Sequence, residues 1–219
     1  MTRIESKAQA AGERVRVWDA FVRLFHWALV AAFTVAFLSE DAIGLHVWAG
    51  YVVGILVVLR VIWGFVGPKH ARFSDFVCGP RAAAAYVRDL LTFRAARQLG
   101  HSPGGGLMVI VLLLSLAATV VTGLVAYAAE RQAGPLSGLF AAAPADAAAE
   151  VRSRDRDGDR RRGRSRSGGV VGEVMEELHE FFANFTLALV IVHVCGVLWA
   201  SLVHRENLIL AMISGYKRR

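Results

Sequence analysis

Seven histidines are spread through a chain of 219 residues, and four of them stand where an imidazole is expensive. His26 in RLFHWALV, His46 in LHVWAGYVVG, and His179 and His193 in LHEFFANFTLALVIVHV fall at or inside long apolar runs. Ionisable side chains in such runs are costly and tend to mark function. Neutral imidazole is a nitrogen ligand for iron, zinc, copper or nickel, so metal binding is the chemistry to weigh. His70, His101 and His204 lie at or beyond the ends of the runs. Water and lipid head groups satisfy a ring there, and these three are expected to be interfacial.

Spacing separates the four. His193 follows His179 by 14 residues. On a helix that interval is a rise of about 21 Å with a rotation of only about 40°. The two rings share a helix face but are too far apart for one metal. Arg60 follows His46 by the same interval, and Gly50 and Gly54 follow His46 at steps of four, leaving a smooth strip where a flat ring system can approach the backbone.

The elements that must hold these residues are membrane helices. Hydrophobic residues make up 55% of the chain, charged residues 20%, and the mean hydropathy is +0.45. That is too apolar for an ordinary soluble domain. Four runs, about 21–38, 45–66, 107–129 and 181–203, each approach the roughly 20 residues a spanning helix needs. The expected fold class is all-α, an integral membrane four-helix bundle occupying 21–219 behind a basic arm at 1–20. An even number of crossings puts both termini on one side. The arm carries Arg3, Lys7, Arg14, Arg16 and Arg23, the connector after the second run carries Lys69, Arg72, Arg81, Arg88, Arg94 and Arg97, and the chain ends GYKRR. The turn SEDAIG between the first two runs has no Lys or Arg. Positive charge is retained in the cytoplasm, so both termini and the connector are expected inside. The arm has no cleavable leader pattern ahead of the first run.

Two segments lie outside the runs. GPRAAAAYVRDLLTF in the connector reads as a short amphipathic helix on the membrane, entered through Gly79-Pro80. The insertion at about 141–169 is Arg-rich, nearly free of large apolar residues and dense in mixed charge, the composition of a solvated, disordered linker. Its place on the outer face argues against nucleic acid as a partner. Cys78 and Cys195 are poor candidates to pair, and neither stands in a Cys-x-x-Cys-His sequence, which excludes covalent haem attachment by that pattern.

With this topology the four histidines sort by depth. His46 and His179 stand at the outer ends of their helices, and His26 and His193 deeper, toward the cytoplasm. Two sites, each with two histidines from different helices, are what axial ligation of two stacked haems requires. Arg60 is placed near the inner level, where a haem propionate or a quinone oxygen would suit it. Packing is a sufficient account of any one histidine, since small residues at spacing four also let bare helices approach. Four in two depth-matched pairs favour ligation.

The residues also resemble a known family, the bacterial cytochrome b561 group that includes the b cytochromes of nickel-iron hydrogenases. VRVWDAFVRLFHW, LHVWAGY, RVIWGFVGPKHARFSDF, GHSPGGGLMV, ELHEFFANF with VHV, and HRENLILAMISG carry the resemblance in order, from about Val15 to the C-terminus apart from the insertion. It implies two non-covalent haem b groups, ligated by His26 with His193 and by His46 with His179. It further implies electron transfer between a quinone or quinol and a periplasmic partner, a c-type cytochrome or an oxidoreductase or hydrogenase subunit, in the bacterial inner membrane and in contact with its lipid. The third run has no histidine and would complete the bundle without ligating iron.

No catalytic residue is assigned. Iron with two histidine ligands has no open position, which favours electron carriage over oxygen activation. Glu173, Glu176, Glu177 and Glu180 are candidates to take protons from a quinol, although acids beside a helix N-terminus have a simpler electrostatic account. Two other functions fit the same residues: a haem-bearing anchor for a soluble oxidoreductase, and a His-lined path for a divalent metal ion. The second is weakened by the scarcity of intramembrane carboxylates and thiols.

Overall fold

A computed structural model describes residues 14–69, 71–98, 100–140 and 158–218. The fold is all-α, of the membrane helical-bundle class, and four helices are long and apolar enough to cross a bilayer. Helices suit that setting because every backbone polar group in a spanning segment must be satisfied within the segment.

The first spanning helix, α1 (Ala20–Leu38), starts where Asp19 Oδ1 accepts the Val22 N–H at 2.9 Å. Its last turn closes on Ser39, and a tight turn leads into α2 (Ile43–Val66). The two pack as the expected hairpin. Ala49, Val53, Val57, Arg60 and Gly64 form the buried stripe of α2. Gly64 is required there because a Cβ would collide with the Phe73 ring. The connector supplies a single turn, α3 (Phe73–Phe76), and the amphipathic helix, α4 (Pro80–Leu91), with proline at its first position as expected.

The third and fourth spanning helices run longer than their apolar cores. α5 (Pro103–Arg131) begins at the proline, with Ser102 Oγ accepting the Gly105 N–H at 3.1 Å. α6 (Gly158–His204) is already wound well before position 181. Good helix formers such as Glu173, Met175, Glu176, Glu177 and Leu178 carry it outward from the apolar run. The expectation of a disordered linker over 141–169 therefore divides: residues 141–157 lie outside the described residues, and 158–169 belong to α6.

The described chain forms two compact units, one from the segments Met1–Leu114 and Thr186–Arg219, the other from Ser115–Phe185. The first contains an element that hydropathy does not signal. β1 (Arg14–Arg16) pairs antiparallel with β2 (Tyr216–Arg218), joining the basic arm to the C-terminal tail. The alternation in RVRVW suits a short strand and then delivers Val17 and Trp18 into a cluster with Val22, Ala71, Phe21, Trp63 and Met212. A last helix, α7 (Leu208–Ser214), is capped by Asn207 Oδ1, which accepts the Leu210 N–H at 2.8 Å, and ends on Gly215 at φ 88°. Only glycine takes that left-handed angle without strain, and the turn lets the Gly215 carbonyl accept the N–H groups of Val17 and Trp18.

Around this clasp the connector is tied to the end of α6. Trp199 Nε1 donates to the Leu90 carbonyl at 3.2 Å, Tyr86 Oη and His204 Nε2 are 3.3 Å apart, and Arg97 pairs with Glu206 at 3.0 Å. Lys217 is 7% exposed and donates to the Gln98 carbonyl at 3.4 Å. Burial holds its ammonium below the ordinary lysine range, with Glu206 opposing the effect and Arg97 adding to it.

Two predictions concern this region. Asp19→Ala should lower the thermal midpoint of the detergent-solubilised protein by more than the loss of a cap, about 1 kcal/mol, accounts for, because Arg60 also loses its acidic neighbour, and Asp19→Asn should recover only the capping part. For Lys217, a lowered folded-state pKa means that the unfolded chain binds the extra proton over the interval up to the ordinary lysine value. Stability should rise with pH through that interval and fall as pH drops through the folded-state pKa. Lys217→Met should flatten that slope in pH-dependent melting curves.

Candidate functional site

Each of the four intramembrane histidines is half-buried, and they are held in different ways. His46 stands in the first turn of α2, and its Nδ1–H donates to the Ala36 carbonyl of α1 at 2.9 Å. Ala36 lies in the last turn of α1, where its carbonyl accepts only long bonds from the Ser39 N–H and Oγ–H, both at 3.4 Å, and the imidazole makes the shorter contact. His179 is anchored in the same manner within the second unit: its Nδ1–H donates to the Thr119 carbonyl of α5 at 2.8 Å. A carbonyl can only accept, so both rings carry their proton on Nδ1 and their lone pair on Nε2. That tautomer is the one a metal-ligating imidazole presents when its other nitrogen is hydrogen-bonded.

His26 and His193 belong to the first unit and stand within electrostatic reach of one another. The His26 ring meets the edge of Trp27 at 5.2 Å between centroids. Its Nδ1 is buried and has no hydrogen-bond partner among the described residues. A buried ring nitrogen in that state is costly, and His26 differs here from His46 and His179, whose Nδ1 atoms are bonded to carbonyls. The structure thus places His26 and His193 within electrostatic reach in one unit, while His46 and His179 are each fixed within their own unit.

The two glycines of the strip expected on α2 are both half-buried. Gly50, one turn past His46, has open space where a Cβ would stand, and Gly54 follows. A flat macrocycle fits such a strip, as it fits the Nε2 lone pairs. Arg60 is only 2% exposed. Its guanidinium lies 5.3 Å from the Phe73 ring centroid and 6.0 Å from that of Phe76, with the Asp19 carboxylate as its acidic neighbour. Its Nη1 is buried without a hydrogen bond among the described residues. An unsatisfied, desolvated guanidinium nitrogen matches the carboxylate or carbonyl oxygen expected beside it.

Several participants carry no sequence signal of their own. Thr119 contributes through its backbone carbonyl, so the third spanning helix does more than complete the bundle. Asp19 accepts from Val22 N–H and, at 3.4 Å, from Trp63 Nε1. Phe73 and Phe76 are legible only as aromatics near a run end.

Of the three histidines expected at the interface, His101 is packed instead, 4.6 Å from Trp18 and 4.3 Å from Phe76 between centroids. Apolar rings, more than water, form its surroundings. His204 meets Tyr86, and His70 lies outside the described residues. The acids Glu173, Glu176, Glu177 and Glu180 are exposed and stand well inside α6, so the account that places them at a helix N-terminus does not hold. Glu176 meets Glu130 of α5 side chain to side chain. Among the described residues no group of three or more His, Cys, Asp or Glu side chains gathers as a metal site, and a divalent-ion path gains no support from them. Cys78 and Cys195 are free, as expected.

Comparison with known proteins gives one result of consequence. The family model described as prokaryotic cytochrome b561 matches residues 17–215. No curated protein and no solved structure matches at a significant level. The family match covers nearly the whole chain, including all four spanning helices and all four intramembrane histidines. The chain belongs to the prokaryotic cytochrome b561 family, and is a multi-pass membrane b-type cytochrome that binds haem b and takes part in electron transfer.

Proposed function

We propose that the chain holds two haem b groups, the inner between His26 and His193 and the outer between His46 and His179. It relays electrons across the bacterial inner membrane between the quinone pool and a periplasmic redox partner, with both termini in the cytoplasm. The observation that carries this reading is the shared tautomer of His46 and His179. Each Nδ1 proton is committed to a carbonyl of a neighbouring helix, which leaves Nε2 as the ligating nitrogen. The approach of His26 to His193 supports the inner pair, and the strand pairing of arm and tail supports termini on one side.

Haem supplies reversible one-electron chemistry at iron. The protein's own contribution is orientation and electrostatics. His26 with His193 and His46 with His179 would hold the two groups, and two histidine ligands to each iron would leave no position open for a substrate. The carbonyl partners fix ring planes and strengthen the imidazoles as donors. Gly50 and Gly54 give a flat ring access to the α2 backbone. Arg60 holds a cation at the inner level, where a propionate is its favoured partner and a quinone oxygen the other. Glu130 and the exposed Glu176, which meet side chain to side chain, form a carboxyl pair at the end of α5 where a proton released on that side could be received.

Purified protein should give two haem b per chain in a pyridine haemochrome assay and low-spin spectra. No haem after expression with ample supply rejects the proposal. His46→Ala should halve the haem content while the inner haem remains, and a variant that keeps both rejects the pairing. Arg60→Met removes a buried cation that stabilises the reduced state, so it should move the inner midpoint potential to a more negative value and leave the outer unchanged. An unaltered potential with a raised KM for a quinol analogue would assign Arg60 to the quinone instead. Turnover with that quinol analogue by the isolated protein distinguishes an electron carrier from a passive anchor.

A further inference from the structure

Backbone carbonyls inside a helix are poor acceptors for an outside group. Each already receives the N–H four residues on, and the side chain at that position tilts back over it. Thr119 is such a mid-helix residue of α5, and its carbonyl also accepts the Thr122 hydroxyl at 3.0 Å. Even so, it takes the Nδ1–H of His179 at 2.8 Å. The residue four positions on is Gly123. An ideal Cβ built there would stand 2.8 Å from both Cε1 and Nδ1 of His179 and 3.5 Å from Nε2. Real Cβ contacts do not approach that closely, and a ring anchored by a hydrogen bond has little room to yield.

Two independent features of α5, a bare position and the carbonyl it uncovers, thus converge on one imidazole. We propose that Gly123 and the Thr119 carbonyl form a seat that sets the ring plane and the tautomer of His179, making Gly123 a positioning residue for the outer iron. This rests on the reading of His179 as an axial ligand. Glycine is otherwise a destabilising choice in the middle of a helix, and here that cost has a use. Gly172 lies further along α6, where the Glu130 side chain occupies the space of its missing Cβ, so the two helices approach closely beyond the seat as well.

The test uses the full-length, haem-loaded protein. Gly123→Ala should reduce the haem-to-protein ratio from two to one. If both haems remain, it should shift the midpoint potential and the low-temperature EPR signal of the outer haem while those of the inner haem, the folding control in the same molecules, stay in place. Two haems with unchanged potentials and signals overturn the proposal, and so does equal loss of both. A stability cycle covers the case in which the variant accumulates poorly. In a His179→Ala background the obstructed ring is gone, so Gly123→Ala should be neutral or raise the thermal midpoint. The same substitution in the parent should lower it, and an equal effect in both backgrounds overturns the proposal. His179→Ala alone tests the underlying reading. Retention of two haems there rejects the ligand assignment, whereas loss of one combined with an unaltered Gly123→Ala protein rejects only the seat.

Discussion

The hydrogen bond from an imidazole Nδ1 to a backbone carbonyl of a neighbouring helix is the interaction on which the proposed outer site, His46 with His179, depends. In a hydrocarbon environment neither group can turn to water, so an unpaired donor is costly and a paired one is firmly held. The bond also decides which ring nitrogen keeps its lone pair. A helix offers few carbonyls for this purpose, and the chain uses two different kinds. At the end of α1 the Ala36 carbonyl has no next helical turn above it and, beyond two long bonds from Ser39, is open to the imidazole. In the middle of α5 the Thr119 carbonyl is reachable because the residue one turn on has no side chain.

Inner-level charge is handled differently. Arg60 is caged by Phe73 and Phe76 and has Asp19 as its acidic neighbour. Asp19 itself is shared among three tasks, since it also caps α1 and accepts from the Trp63 indole. The strands, α7 and the connector close around this region. Pairing of the arm with the tail supplies Val17 and Trp18 to the cluster and fixes the start of α1, which in turn sets the depth of His26. A buried cation needs such a surround. A loosely attached connector would admit water and weaken every electrostatic interaction made there.

Much of this was legible in the residues alone. Helix number, the α1–α2 hairpin and the proline entry to α4 follow from hydropathy length and proline position, which are local properties. The apolar cores of the third and fourth helices were found, but their full lengths were not, because Pro103–Arg131 and Gly158–His204 extend into polar residues that a hydropathy window discards. The strands escaped notice because three residues of alternation in a basic arm resemble any charged tail. His101 stands outside a run and reads as wetted, yet the chain folds Trp18 and Phe76 against it.

Sequence by itself determined the class of the protein, its four spanning helices, and the four histidines with a helical spacing that forbids His179 and His193 from sharing a metal. Those conclusions rest on rise, rotation and the cost of polar groups in lipid, all of which act along a single segment. Only the tertiary structure decided which carbonyls receive His46 and His179, that Arg60 lies between two aromatic rings near Asp19, and that Gly123 faces an imidazole. Such facts depend on how one helix is rotated and slid against another. That placement is fixed by packing across residues far apart in the chain, where a glycine or a backbone oxygen leaves no mark in composition or periodicity.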